Sequence, residues 1–227
     1  MKAMILAAGR GERMRPLTDT TPKPLLRAGG APLIEHHLRR LGSAGVREAV
    51  INVSHLGEQV EAYCGDGGRW GLSLSYSREE SPLETAGGIL QALPLLGDAP
   101  FLVVNGDIYT DCSFDALLAA GLGPGDLARL VLVDNPPHHP LGDFHLDSRG
   151  RVHARQDGLA GRTYAGVGVY SPQLFDDLAP GVTPLRPLLD AAIDAGRMAG
   201  EYHGGDWEDV GTPERLAALD ARLSNGG

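Results

Sequence analysis

Among the cations of this chain only Lys2, beside the initiator, and Lys23, inside a glycine- and proline-punctuated loop, are lysines. Every other fixed cation is arginine. A lone ammonium at position 23 therefore reads as a compact point charge, where arginine would bring a wider planar fork. The same loop holds Gly9 and Gly11, whose missing side chains leave backbone N–H groups free to approach phosphate oxygens, and Arg13 and Arg15 can add bidentate contacts. Taken alone, the glycine pair is equally well explained as a tight turn carrying solvated arginines. The loop is neither a Walker loop nor a dinucleotide fingerprint, since no Gly-Lys-Ser/Thr follows and the third fingerprint glycine is replaced.

Three further segments carry chemistry. The apolar run Phe101–Val104 ends in Asn105-Gly106-Asp107, and Trp207-Glu208-Asp209-Val210-Gly211 supplies a second carboxylate far along the chain. Two hard oxygen ligands from distant segments suffice for magnesium, which completes its octahedron with water and phosphate oxygens. Pro82-Leu83-Glu84-Thr85-Ala86-Gly87-Gly88 offers backbone amides with room for a flat ring to approach, and it reads equally as a helix start.

These residues need elements to hold them. Apolar strand-like runs alternate with amphipathic helical stretches, which predicts a Rossmann-like α/β fold with a mostly parallel mixed sheet and helices on both faces. Strands are expected at 3–8, 48–53, 72–76, 101–104, 130–133, 164–170, 200–203 and 207–210, with helices from Pro32 to about Leu41 and over 58–63, 87–93, 185–195 and 213–223. The connection from Gly9 to Pro24 is too long for a simple link and reads as functional. The stretch 134–161, rich in Pro, His, Gly and Asp, reads as an inserted hairpin and loop covering one side of the crevice. Asp107 falls just beyond the carboxyl end of a strand, where open α/β sheets bind ligands.

A length of 227 residues fits one domain spanning 1–227, with no repeat or low-complexity linker. The net charge of -9 argues against a nucleic-acid or anionic-membrane surface. Ala3–Ala8 is too short to span a bilayer, and a cytoplasmic protein is expected. Cys64 and Cys112 lack ligand or framework spacing and read as packed, reduced thiols; His36-His37 and His138-His139 lack further zinc ligands.

The run from Leu6 through Lys23-Pro24-Leu25-Leu26 resembles the N-terminal signature of the sugar-1-phosphate nucleotidyltransferases. The segments at 82–88, 104–107 and 207–212 resemble that family's base-binding loop and two metal-binding segments, so the likeness covers nearly the whole chain. Within the family the chain is most similar to the N-acetylmuramate 1-phosphate uridylyltransferases of cell-wall recycling, through its short length, its Asn-Gly-Asp turn and Gly142-Asp143-Phe144. The resemblance implies an NTP, UTP by this branch, and a sugar 1-phosphate as substrates, Mg2+ as cofactor, and a monomer or small homo-oligomer. It implies Arg13 and Lys23 as catalytic residues, Ala8, Gly9, Gly11, Thr85, Gly87 and Gly88 around the nucleotide, and Asp107 and Asp209 on the metal. Asn105, Gly142, Asp143 and Gly166 are the sugar-side candidates; a Glu-Lys-Pro segment found in many relatives is absent between Arg151 and Thr163. A muramate sugar carries a lactyl carboxylate, for which His138, His139, Arg155 and Arg162 are candidate partners. Competing readings are a mannose- or glucose-1-phosphate guanylyl- or thymidylyltransferase, a glycosyltransferase, for which the Asp-x-Asp motif is missing at Asp107-Ile108-Tyr109, and a non-catalytic sensing subunit, which would not need Lys23, Asp107, Asp209 and Arg13 together.

Overall fold

The computed structural model describes residues 1–156, 158 and 160–225, so two positions of the expected insertion, Asp157 and Leu159, lie outside the described residues. In chain order the elements are β1 (Ala3–Leu6), β2 (Arg27–Ala28), β3 (Ala31–Pro32), α1 (Leu33–Ser43), β4 (Glu48–Val53), α2 (Gly57–Cys64), β5 (Ser73–Arg78), α3 (Glu84–Leu96), β6 (Phe101–Asn105) and β7 (Ile108–Thr110). The second half adds α4 (Phe114–Ala120), β8 (Ala128–Val133), β9 (Phe144–Leu146), β10 (Val152–Ala154), β11 (Thr163–Tyr170), α5 (Arg186–Asp194), β12 (Met198–Tyr202), β13 (Trp207–Asp209) and α6 (Pro213–Asn225).

Seven strands form the central sheet in the order β12-β8-β11-β6-β1-β4-β5. β6, β1, β4 and β5 pair in parallel, as do β12 and β8, while β11 runs antiparallel to both β6 and β8. The side-chain period of two divides the core between the faces. Ala3, Ile5, Leu102 and Val104 pack with α1, α2 and α4 on one side. Met4, Phe101 and Val103 pack with α3 and α5 on the other. A smaller cluster joins Met14 of the first loop, Leu26 and Ala28 to Leu216 and Leu219 of α6. The closing helix thus buttresses the loop that carries Lys23.

The departures from the sequence reading have local causes. β1 stops at Leu6, two residues short of the expectation, because the Ala7 N–H leaves the ladder and donates to Asn52 Oδ1 at 2.7 Å. The long loop contains three short 3-10 turns, and the β2–β3 hairpin and α4 were not anticipated. α3 begins at Glu84, three residues before the expected start. The insertion does fold as a hairpin, β9–β10, stitched to the sheet by bridges from Phe144 to Arg162 and Arg151 to Ala199.

Candidate active site

The site forms where the strand order turns back on itself. β1 is flanked by β4 and β6, and the register sets Leu6 beside Asn52 on one side and beside Asn105 on the other, so three parallel strands end side by side. Gly106 closes this edge: its N–H donates to Leu6 O at 2.8 Å, and a Cβ there would sit 2.6 Å from the same oxygen. Beyond the strand ends lies a cleft of about 370 Å³ lined by Ala7, Ala8, Gly9, Lys23, Asn52, Glu79, Thr85, Asn105 and Asp107, among others. A second cavity of about 360 Å³ shares Asn105 and Asp107 with the first and adds His138, His139, Asp143, Tyr164, Gly166, Trp207 and Asp209. Two lobes therefore meet at one carboxylate.

Lys23 reaches that junction from a 3-10 turn, Lys23–Leu25. Its side chain is 9% exposed, and Nζ donates to Asp107 Oδ2 at 2.7 Å. Gly11 belongs to this arrangement without lining the cleft. It sits at φ +64, and a Cβ would meet Lys23 Cβ at 3.2 Å and Thr18 Cγ2 at 3.0 Å, so glycine lets the loop fold over the lysine stem. Gly9 has open space around it and does line the cleft. Arg13 is exposed and belongs to neither wall.

Below the first lobe lies a buried polar chain. Asn52 Oδ1 accepts from Ala7 N–H, Asn52 Nδ2 donates to Glu79 Oε1 at 2.7 Å, and Glu79 Oε2 accepts from Leu83 N–H at 3.0 Å. Buried polar groups persist when every partner is satisfied. Gly88 permits the close approach of α3, because a Cβ there would lie 2.6 Å from Glu79 Oε1 and 3.0 Å from Asn52 Nδ2. Gly87 is pressed against another segment: a Cβ there would lie 2.2 Å from Gly181 O. The Ala86 and Gly87 N–H groups both donate to Thr183 O, at 3.0 and 3.1 Å. Thr85 lines the cleft; Gly87 and Gly88 shape it from behind.

In the second lobe, a bulge in β11 between Tyr164 and Gly168 turns Ala165 and Gly166 into the wall. Gly166 sits at φ +75, and a Cβ would collide with the Asn105 amide at 2.7 Å. Trp207 Nε1 donates to Ala165 O at 2.9 Å, tying the bulge to β13. Asp143 accepts from Tyr164 N–H at 2.8 Å and contacts His139 Nε2 at 3.1 Å. Gly142, at φ +66, packs against Asn135 and Arg162 and lies outside the wall. Arg162 is engaged elsewhere, with Asp134 at 2.6 Å and over the Tyr202 ring at 3.8 Å, and Arg155 is in neither wall.

Asp209 is brought to Asp107 by a two-strand ribbon: β13 pairs with β7, and Val210 N–H donates to Asp107 O at 3.0 Å. Its carboxylate accepts from Arg215 Nη1 at 2.7 Å and lies 3.4 Å from His138 Nε2. Among the described residues no cluster of three or more His, Cys, Asp or Glu side chains could by itself hold a metal ion. Two carboxylates on one shared lobe, open to a ligand's own phosphate oxygens, nevertheless match the hard, sparse donor set that magnesium accepts. The thiols are inert packing: burial pushes Cys64 up to about 12 and Cys112 to about 11.

Sequence reasoning singled out Lys23, Asp107 and Asp209 but missed Asn52, Glu79 and Arg215. Asn52 carried a readable signal, an amide inside the apolar run Ala49–Val53. Arg215 follows the 207–212 segment by one helical turn and is visible only once α6 is placed.

A nucleoside triphosphate and a phosphorylated second substrate are the class of ligands that a glycine-lined cleft, a buried ammonium and two carboxylates between two lobes can hold. The chain belongs to the nucleotidyl transferase family, whose model matches residues 2–225. It is 53% identical over 225 residues to the N-acetylmuramate alpha-1-phosphate uridylyltransferase of Neisseria meningitidis serogroup B, covering 97% of each chain. A protein of the same description from Caulobacter vibrioides is 37% identical over 234 residues, covering 98% of this chain and 96% of its own. The fold is that of a Bacillus anthracis chain crystallised with sucrose, at a TM-score of 0.88 and 21% identity over 100% of this chain and 96% of that one.

Proposed function

We propose that the protein transfers the uridylyl group of UTP to N-acetylmuramate 1-phosphate, releasing pyrophosphate, with Mg2+ as cofactor. The observation that carries this reading is the junction itself: the Lys23 ammonium and the Asp107 carboxylate stand where two adjoining lobes share a wall. A reaction that joins two phosphorylated substrates needs its charges at that point. The likeness to two proteins named for this activity supports the choice of base and sugar. We infer a single domain over 1–227 acting in the cytoplasm; among the described residues no helix is long and apolar enough to cross a membrane.

In this reading the sugar-phosphate oxygen attacks the α-phosphorus in line, and no protein nucleophile is used. Ala8 and Gly9 contribute cleft backbone alongside the triphosphate. Lys23 leaves Asp107 and holds the reacting phosphates as negative charge moves onto the leaving pyrophosphate. Asp107 and Asp209 would hold the magnesium ion, which when bound supplies charge neutralisation for the phosphates. Asn105, pinned by Gly166, touches both substrates from the shared wall. His138 and His139 line the sugar lobe and are the remaining candidate partners for the lactyl carboxylate.

A pyrophosphate-release screen across NTPs and sugar 1-phosphates tests the proposal. UTP with N-acetylmuramate 1-phosphate is expected to give the highest kcat/KM, and replacing His138 or His139 by alanine should lower it for that sugar while sparing N-acetylglucosamine 1-phosphate. Higher efficiency with GTP or dTTP and an uncharged sugar overturns the substrate assignment, and no release with any pair returns the chain to a sensing role.

A further inference from the structure

Glu84 is strained, charged and unemployed. It is the first residue of α3 and holds φ +62, a left-handed conformation that glycine adopts freely and a residue with a Cβ does not. It is exposed, it lines the first lobe, and its carboxylate makes no hydrogen bond or ion pair with any described residue. The other charged groups of that wall are occupied: Lys23 with Asp107, and Glu79 with Asn52 and Leu83 N–H. Folding gives no reason for glutamate here, since the backbone conformation disfavours it. An acid in the first turn of α3 is favoured by the helix dipole, but by only about 0.3–1 kcal/mol against about 1–2 kcal/mol for the left-handed conformation, and a free anion beside a triphosphate site opposes binding of the triphosphate. Non-glycine residues in this region cluster at functional sites, and of the two among the described residues, Leu56 and Glu84, only Glu84 lines the cleft.

On the nucleotide itself a carboxylate can pair only with neutral donors, since it accepts hydrogen bonds and repels phosphate. A nucleotide offers two sets of such donors, the base N–H groups and the ribose hydroxyls. Asn52 and Glu79 are 4% and 5% exposed and form the polar floor of the lobe, whereas Glu84 stands at its open rim. The buried floor suits the flat base, and the rim suits the sugar that links base to phosphates. We propose that Glu84 selects ribonucleotides, its carboxylate accepting hydrogen bonds from the ribose hydroxyls of the bound nucleotide, chiefly the 2′-OH. The inference rests on the reading of this lobe as a nucleotide site.

The test is calorimetric titration of UTP and 2′-deoxy-UTP, with Mg2+, into the wild type, Glu84→Gly and Glu84→Gln, alongside melting curves. Hydrogen bonds to a charged acceptor give the wild type a preference for UTP on the order of 10–100-fold. Glu84→Gly should bring the ratio close to one through loss of UTP affinity, with deoxy-UTP binding equal or tighter and Tm level or raised, because the strained conformation then suits the residue. Glu84→Gln should retain part of the preference. An unchanged ratio in Glu84→Gly overturns the proposal, as does an equal loss on both nucleotides with a lowered Tm, the mark of a structural role. The outcomes separate from those of the transfer reading. A collapsed ratio in a protein that releases no pyrophosphate with any sugar 1-phosphate upholds Glu84 and sinks the transfer; turnover of UTP with an unaltered ratio does the reverse.

Discussion

At the scale of single residues, the position of Lys23 decides what its ammonium can do. The stem is clamped under the Gly11 loop and the head is aimed at Asp107, so the charge is delivered by a rigid, buried arm. Lys23→Ala is expected to lower kcat by about 10²–10³-fold, the usual loss when one preorganised stabiliser of developing charge is removed. Lys23→Arg should recover little, since a guanidinium is wider than the space an ammonium fills at 2.7 Å from its partner. Asp107 is 42% exposed on its side chain, so water can replace the lost ion pair, and the loss of Tm, about 2–8 °C, should come from the vacated lysine stem. Near-normal turnover by Lys23→Ala removes the assignment. The two aspartates are expected to behave as a unit. Asp107→Asn and Asp209→Asn should each cost nearly as much kcat as the double variant, because residues serving one ion are non-additive. A double-variant barrier equal to the sum of two large single effects would count against a shared ion, and activity indifferent to a chelator would dispose of it.

At the scale of elements, glycines decide how closely one element can approach another, and Gly88 is the clearest case. Gly88→Ala places a methyl against Glu79 Oε1 and Asn52 Nδ2, both buried and already paired. The expected result is a destabilisation of about 1–3 kcal/mol from overpacking and a disturbed polar chain, together with a raised KM for the nucleotide. A melting curve and a KM identical to the wild type would show that α3 yields freely and that the floor is not rigid. This position also marks the limit of what the sequence tells. β4 was legible to the residue and β6 to within one, because each is a short, β-branched, mostly apolar run bounded by turn chemistry. Lys23 stood out by type, as the one lysine inside an arginine-rich loop, whereas the two aspartates, ordinary turn residues taken singly, stood out through the segments that resemble the family's motifs. The Asn52–Glu79 pair and the β7–β13 ribbon were not legible, since each joins residues distant in the chain, 27 positions separating Asn52 from Glu79; Arg215 and Asp209 are near in sequence, but their contact depends on how α6 leaves the ribbon. α4 and β2–β3 are too short for periodicity to signal.

At the scale of the whole molecule, α1 and the β7–β13 ribbon beside Asp107 and Asp209 are joined through a buried histidine. His37 lies on α1 at 1% exposure, its Nε2 within 2.9 Å of Ile108 O on β7, while Nδ1 has no partner. Burial drives its pKa down to about 4 from an ordinary 6.5, against the backbone hydrogen bond to Ile108, which pulls the other way. The folded protein therefore keeps this imidazole neutral through a range in which the unfolded chain protonates it. Above pH 6.5 both states are neutral and the group adds no pH dependence; as pH falls from 6.5 toward 4 the unfolded state takes up the proton alone, and stability is lost. The slope is about 1.4 kcal/mol per pH unit for one proton, and the whole window is worth roughly 3 kcal/mol, a sizeable part of the ~5–15 kcal/mol that holds a domain together. Carboxylates enter later. Glu35 is pushed up by burial and pulled down further by hydrogen bonds from Tyr63 and Arg39, so it titrates below its ordinary 4.5 and leaves the upper part of the window to histidine. His37→Gln keeps a donor for Ile108 O but cannot take up a proton. Chemical denaturation of both proteins at intervals between pH 7.5 and 4.5 should show the wild type losing stability steadily below pH 6.5 and the variant losing distinctly less. Parallel curves would mean that the acid sensitivity resides elsewhere and that the α1–β7 link tolerates a charged ring.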